Sequence, residues 1–135
     1  MELGCFELSL GDTIGVGSPH DVSKLLDDVL MNFDRKNVAM HFHDTYGQAV
    51  ANTYASLESG IRIFDASIAG LGGCPYAKGA SGNVSTEDMV YMIEKSGLDC
   101  GVDLDGLIDA GNYICHAINR TNQSHVANAM NRKSS

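Results

Sequence analysis

The stretch VAMHFHDTYGQA, residues 38–49, runs from an apolar segment into two histidines one residue apart, then turns at once through Asp44, Thr45 and Gly47. Its first half reads as a strand over residues 37–43. Its second half opens a helix over about residues 47–59, with Ala49, Val50, Thr53, Tyr54 and Leu57 as the apolar stripe and Gly60 as the stop. The same alternation extends both ways. Upstream, CFELSL at residues 5–10 predicts a strand. Ser18 and Pro19 then predict the cap and first residue of a helix running to about Phe33 on Val22, Leu25, Leu26, Val29 and Leu30. Downstream, IRIFDASI at residues 61–68 predicts a third strand. A long glycine-rich loop follows, then a helix capped by Ser85 or Thr86, and two further helices over about residues 104–118 and 124–130 separated by the polar NRTNQ.

Strand and helix in regular alternation with short connections specify an α/β fold in which a parallel sheet is wrapped by helices. In such sheets, open or closed into barrels, reactive groups gather beyond the carboxyl ends of the strands. All the chemically suggestive loops fall there: GDT after the first strand, HDT after the second, and AGLGGCPYAKGASGN after the third.

Bulk properties limit the function. The 135 residues, 44% hydrophobic, suffice for one core and one domain. Seventeen acidic against nine basic side chains, a formal charge of −8, repel phosphate backbones and anionic lipid, so neither nucleic acid nor a membrane is expected as a partner. The first ten residues lack the basic and long apolar regions of a signal peptide. Cys5, Cys74, Cys100 and Cys115 form no C-x-x-C pair, which argues against a zinc knuckle or a disulfide framework and for a reducing compartment.

Residues two apart on a strand share a side and lie about 6.5 Å apart, so His41 and His43 can converge on one metal ion while Phe42 points away. The plainer alternative is one satisfied core histidine and one surface histidine. Asp12, Asp44, Asp65 and Asn83, all at strand ends or in the loops after them, could complete a ligand shell. The loop GLGGCPYAKGASGN lacks the G-K-[ST] ending of a nucleotide cradle. A lone cysteine among five glycines reads more readily as a reactive group than as packing. Cys5, Cys100 and Cys115 read as small buried hydrophobes, and His20, His116 and His125 as solvated.

Three segments, SLGDTIGVGSP, HFHDTYGQAVANT and AGLGGCPYAKGASGNVSTEDMVYM, resemble the matching segments of the 3-hydroxy-3-methylglutaryl-CoA lyase family, metal-dependent β/α-barrel enzymes. The H-x-H is shared with related synthases that join acetyl-CoA to 2-oxo acids. The cysteine loop is the specific part, because those synthases typically carry G-E-R-x-G-N there. The resemblance implies a partial (β/α)8 TIM-type barrel: about the last three β/α units plus C-terminal helices, residues 1–135 forming the C-terminal part of a single catalytic domain whose N-terminal part is absent.

It further implies an oxo-acid-lyase that cleaves 3-hydroxy-3-methylglutaryl-CoA to acetyl-CoA and acetoacetate, in leucine catabolism and ketone-body formation. His41, His43 and the amide oxygen of Asn83 would bind Mg²⁺ or Mn²⁺, although ligand type alone would equally admit zinc or iron. Cys74 would be the catalytic cysteine, a proton donor to the departing enolate, with His41 and Asp12 also catalytic. Asp12 and Thr13 would position or polarise the substrate. A homodimer is implied at full length, in the mitochondrial matrix of a eukaryote or otherwise in the cytoplasm. The alternatives are a catalytically inert truncated module of the same fold and an acetyl-CoA-dependent 2-oxo acid synthase.

Overall fold

The computed structural model describes residues 4–73, 79 and 81–133. Three strands form a parallel sheet in sequence order: β1 (Leu8–Asp12), β2 (Val38–Phe42) and β3 (Ile63–Asp65). Between them run α1 (Pro19–Val29) and α2 (Ala49–Glu58). The helices α3 (Thr86–Lys95), α4 (Leu104–Ala117) and α5 (His125–Lys133) follow. Three strands in chain order have no switch point, the arrangement of a barrel wall and equally of one half of a doubly wound sheet.

Register divides the side chains cleanly. Leu10, Met40 and Phe64 align across the sheet, and so do Gly11, His41 and Asp65 on the opposite face. The first row joins Val38 and Phe42 in the core beneath the helices, with Val22 and Leu26 of α1, Ala49 of α2, and Val84 and Met89. Each such fully buried aliphatic side chain contributes on the order of 1.5–3 kcal/mol. The second row is left to the functional face.

α1 starts where its capping box dictates. The Ser18 hydroxyl accepts from Asp21 N (3.3 Å), the Asp21 carboxylate accepts from Ser18 N (3.0 Å), and Pro19 is the first helical residue. It ends at Val29, short of Phe33, because Asn32 N and Phe33 N both fold back onto Val29 O. β1 starts three residues later than the sequence suggests. β2 begins only at Val38, paired with Leu8, so Cys5 and Phe6 have no neighbouring strand and lie exposed. β3 is shorter than residues 61–68: it pairs with β2 over residues 63–65 only, Ser67 then bridges to Ser85, and the chain enters a 3₁₀ turn at Ile68–Gly70.

The buried face of α2 also differs from the expected stripe. Asn52, Thr53 and Ser56 are buried with Ala49 and Leu57, whereas Tyr54 is exposed. The hydroxyls of Thr53 and Ser56 satisfy themselves on the helix's own carbonyls, Ala49 O and Asn52 O, and Asn52 Nδ2 reaches Gly17 O. Thr53 and Ser56 therefore pack inward at little cost, whereas Asn52 Oδ1 is buried without a partner. Of the cysteines read as buried, only Cys115 is; Cys5 and Cys100 are exposed. Among the described residues no helix is long and apolar enough to cross a membrane.

Candidate active site

The functional face begins at the end of β2. His41, on the side opposite the core, is partly exposed; Phe42 turns into the core; His43, just past the strand, is buried. The two imidazoles face each other with ring centroids 5.2 Å apart and planes tilted by 59°. Asp65 lies beside His41 in register, its carboxylate oxygen 3.8 Å from His41 Nδ1.

The descending limb of the glycine-rich loop is stitched alongside. Val84 N donates to Phe42 O (3.0 Å), His43 and Asn83 form an antiparallel bridge, and Asp44 N donates to Gly82 O (3.2 Å). This stitch, which no periodicity announces, brings Asn83 next to His43 from forty residues away. The Asn83 amide nitrogen donates to Leu71 O (3.2 Å), which leaves its side-chain oxygen as the atom available to a ligand.

Of the carboxylates that could have joined the histidines, two are engaged elsewhere. Asp12 aligns with Phe42, on the side away from His41. Its carboxylate accepts from Gly15 N (2.9 Å), Val16 N (3.2 Å) and Gly17 N (2.8 Å), so it fixes the loop that presents the exposed Thr13. The Asp44 carboxylate accepts from Ala49 N (2.9 Å) and anchors the start of α2. Among the described residues no three His, Cys, Asp or Glu side chains converge as a metal-binding group. Cys74 lies outside the described residues.

The donors present nevertheless fit a divalent cation. His43 Nδ1 is buried without a hydrogen-bond partner. An unpaired buried polar atom costs about 1–3 kcal/mol, a cost that ligation would remove. Two imidazoles and an amide oxygen, open on the side of His41, make an incomplete shell of the kind that leaves positions for substrate oxygens.

Sequence reasoning missed two residues that shape this end of the sheet. Glu87, in the first turn of α3, is fully buried, and both its carboxylate oxygens lie 2.9 Å from Ala69 N. Burial pushes its carboxyl pKa up, the hydrogen bonds from Ala69 N and its own N–H opposing. Ala69 adopts φ +56°, and Glu87 holds that turn. Next to Glu87, Gly111 of α4 has no room for a side chain: a Cβ there would lie 2.5 Å from Glu87 Oε1. In the sequence Glu87 is camouflaged, because an acidic residue after a serine cap is the ordinary complement of a helix N-terminus. The second residue is Thr45, whose Oγ1 accepts from Ser81 N (3.1 Å).

Comparison with known proteins agrees with this arrangement. The HMGL-like family model matches residues 1–114. The human protein named hydroxymethylglutaryl-CoA lyase, mitochondrial, is 54% identical over 127 residues, which make up 94% of this chain and 39% of that protein. A rat 3-hydroxy-3-methylglutaryl-CoA lyase, named cytoplasmic, is 52% identical, covering 94% of this chain and 37% of that protein. The crystal structure of hydroxymethylglutaryl-CoA lyase from Pseudomonas aeruginosa superposes with a TM-score of 0.93 at 52% identity, covering 98% of this chain and 44% of that one. The chain thus spans about two fifths of the length of these relatives, and its three-stranded sheet is a partial β/α barrel. On the strength of the family model and of relatives matched along nearly its whole length, the chain belongs to the HMGL-like family.

Proposed function

We propose that this chain is the C-terminal part of a carbon–carbon lyase that cleaves 3-hydroxy-3-methylglutaryl-CoA to acetyl-CoA and acetoacetate, in leucine catabolism and ketone-body formation. The observation that carries the reading is the pair of facing imidazoles at the end of β2, with His43 Nδ1 buried and unpartnered beside Asn83. The names of the human and Pseudomonas relatives support it. His41, His43 and the side-chain oxygen of Asn83 would hold Mg²⁺ or Mn²⁺. When bound, the cation supplies Lewis acidity at substrate oxygens.

The rest is the work of side chains. Cleavage needs the C3 hydroxyl proton removed and the negative charge of the departing enolate quenched. His41, partly exposed with Asp65 at its side, meets the substrate from the open face and takes up the C3 hydroxyl proton as the C3 carbonyl forms and the carbon–carbon bond breaks. Cys74 delivers a proton to the enolate carbon. Asp12 serves by rigidifying the loop that presents Thr13 to the substrate. At full length the protein is a homodimer, in the mitochondrial matrix of a eukaryote or in bacterial cytoplasm.

The test uses the chain joined to the N-terminal part that its relatives carry. Divalent-metal content and turnover of 3-hydroxy-3-methylglutaryl-CoA are measured for the parent and for His41→Ala and His43→Ala. Loss of either imidazole lowers metal affinity or turnover by at least about 10-fold, the scale found even for residues one layer further out. Parent-level values for both variants refute the assignment.

A second reading, an inert module, is favoured by one observation: the described residues supply no carboxylate that converges with the two histidines. It predicts no turnover even after the N-terminal part is restored.

A further inference from the structure

Three loops meet at Thr45. Gly15, in the loop after β1, is buried at φ +68°, and a Cβ there would lie 2.8 Å from both His43 O and Thr45 Oγ1. That loop is itself immobilised by the Asp12 carboxylate through the N–H groups of Gly15, Val16 and Gly17. Thr45 is thus braced on one side by a rigid loop. On the other, its hydroxyl oxygen accepts from Ser81 N, two residues before Asn83.

We propose that Thr45 is a positioning residue: braced by Gly15, its hydroxyl holds Ser81 and so sets where Asn83 stands beside His43. The remaining ties of the limb lie at Asp44 N, at Val84 N, at the His43–Asn83 bridge and at the Asn83 amide on Leu71 O, and Ser81 stands at the end beyond them. The hydroxyl of Thr45 pins that end. The relevant chemistry is a hydrogen-bond acceptor at a fixed position. Serine can supply it, and valine, which has the same shape, cannot. The consequence for metal binding rests on the lyase reading above, whereas the hydroxyl–amide tie does not.

The experiment compares the parent, Thr45→Val and Thr45→Ser in the chain joined to the N-terminal part carried by its relatives. Mn²⁺ alone is titrated by electron paramagnetic resonance, the Ser81 amide is followed by hydrogen exchange, and a melt is recorded for each protein. In the valine variant, Mn²⁺ binding weakens by about 10-fold, the lower end of effects from residues that orient ligands, and Ser81 exchanges faster. In the serine variant both stay within about twofold of the parent, a rescue that no general loss of packing would give. Parent-like Mn²⁺ affinity in the valine variant overturns the proposal. Equal impairment of the serine variant overturns it too, since the hydroxyl would then not be the acting group. If the parent itself binds no Mn²⁺, the metal reading of the site fails. Ser81 exchange then decides the tie: faster only in the valine variant supports it, and unchanged exchange refutes it.

Discussion

At the scale of single residues, the two histidines show how one position's neighbours set its chemistry. His41 and His43 share a side of β2, yet one is partly exposed beside a carboxylate and the other is buried with a ring nitrogen unpaired. In the proposed site both imidazoles would be ligands, and His41 would in addition stand open to substrate. Cys74 is the remaining residue of the proposed site. Cys74→Ala is expected to remove most cleavage while leaving metal binding near the parent level, and thiol reagents are expected to inactivate the parent with substrate protecting it. An alanine variant with full turnover would return Cys74 to a passive role. The H-x-H spacing made the histidines legible in the sequence, since period two needs no tertiary information. Asn83 was legible as one of four candidates to complete the shell, and only the family resemblance singled it out, because its place depends on a bridge to His43 across forty residues. Glu87 and Thr45 were not legible at all. Their roles lie in backbone N–H groups, at Ala69 and Ser81, that no side-chain pattern encodes.

At the scale of elements, the first turn of α3 carries adjacent carboxyls with opposite acid responses. Asp88 is held below the usual carboxylate value. Burial alone would raise it, but N–H donors of Val126 and His125 and the hydroxyl of Ser124 at the start of α5 outweigh that. Its folded form gives up the proton more readily than its unfolded form. The stability it lends is therefore full above about pH 4 and is lost as pH falls through the lowered folded value. Glu87 behaves in reverse. Its raised value means that the buried charge costs stability, a cost that grows as pH rises from the unfolded value of 4.5 and is full above the raised folded value.

Urea melts between pH 3 and 7 check both. Asp88→Asn should flatten the acid loss and lower stability at pH 7 by about 1–2 kcal/mol, the range of lost helix caps. Glu87→Gln, which keeps an oxygen for Ala69 N, should be neutral or stabilising at pH 7. Glu87→Ala should cost about 1–3 kcal/mol for the orphaned N–H. An Asp88→Asn variant with the parent's pH slope would contradict the capping role. Element positions were mostly readable from periodicity and caps, but their ends were not. β1 starts only where β2 gives it a partner, β3 pairs over three residues, and α2 buries Ser56, whose hydroxyl bonds locally, and Asn52, whose amide reaches Gly17 O across the fold.

At the scale of the molecule, the sheet has two outer strands, β1 and β3, each paired on one side only among the described residues. Such edges invite association. Beside β1 a cavity of about 350 Å³ opens between the sheet and α1, walled by Leu10, Val22, Leu25, Met40 and Phe42. Val22, Met40 and Phe42 are buried there, but Leu10 is only half-buried and Leu25 exposed, and ordering a backbone costs about 1–2 kcal/mol per residue that a half-built core offsets poorly. Residues 1–135 alone are therefore expected to melt without cooperativity, to associate, and to be inert with saturating Mg²⁺ or Mn²⁺. Mixing with the N-terminal part should restore a cooperative melt and turnover together. A monomeric, cooperative and active 135-residue chain would refute this.

The stitch between residues 42–45 and 81–84 has a further consequence, for covalent connectivity. It turns the intervening segment into a ring closed by hydrogen bonds, with α2 and β3 inside it. A ring stays a ring's worth of structure when cut once. Severing the chain at a single peptide bond between Gly73 and Gly79 would leave both new ends tethered, one through β3 and the other through Ser81, Gly82 and Val84 to the end of β2. A single cut in the glycine-rich segment would thus leave Asn83 beside its histidine neighbour.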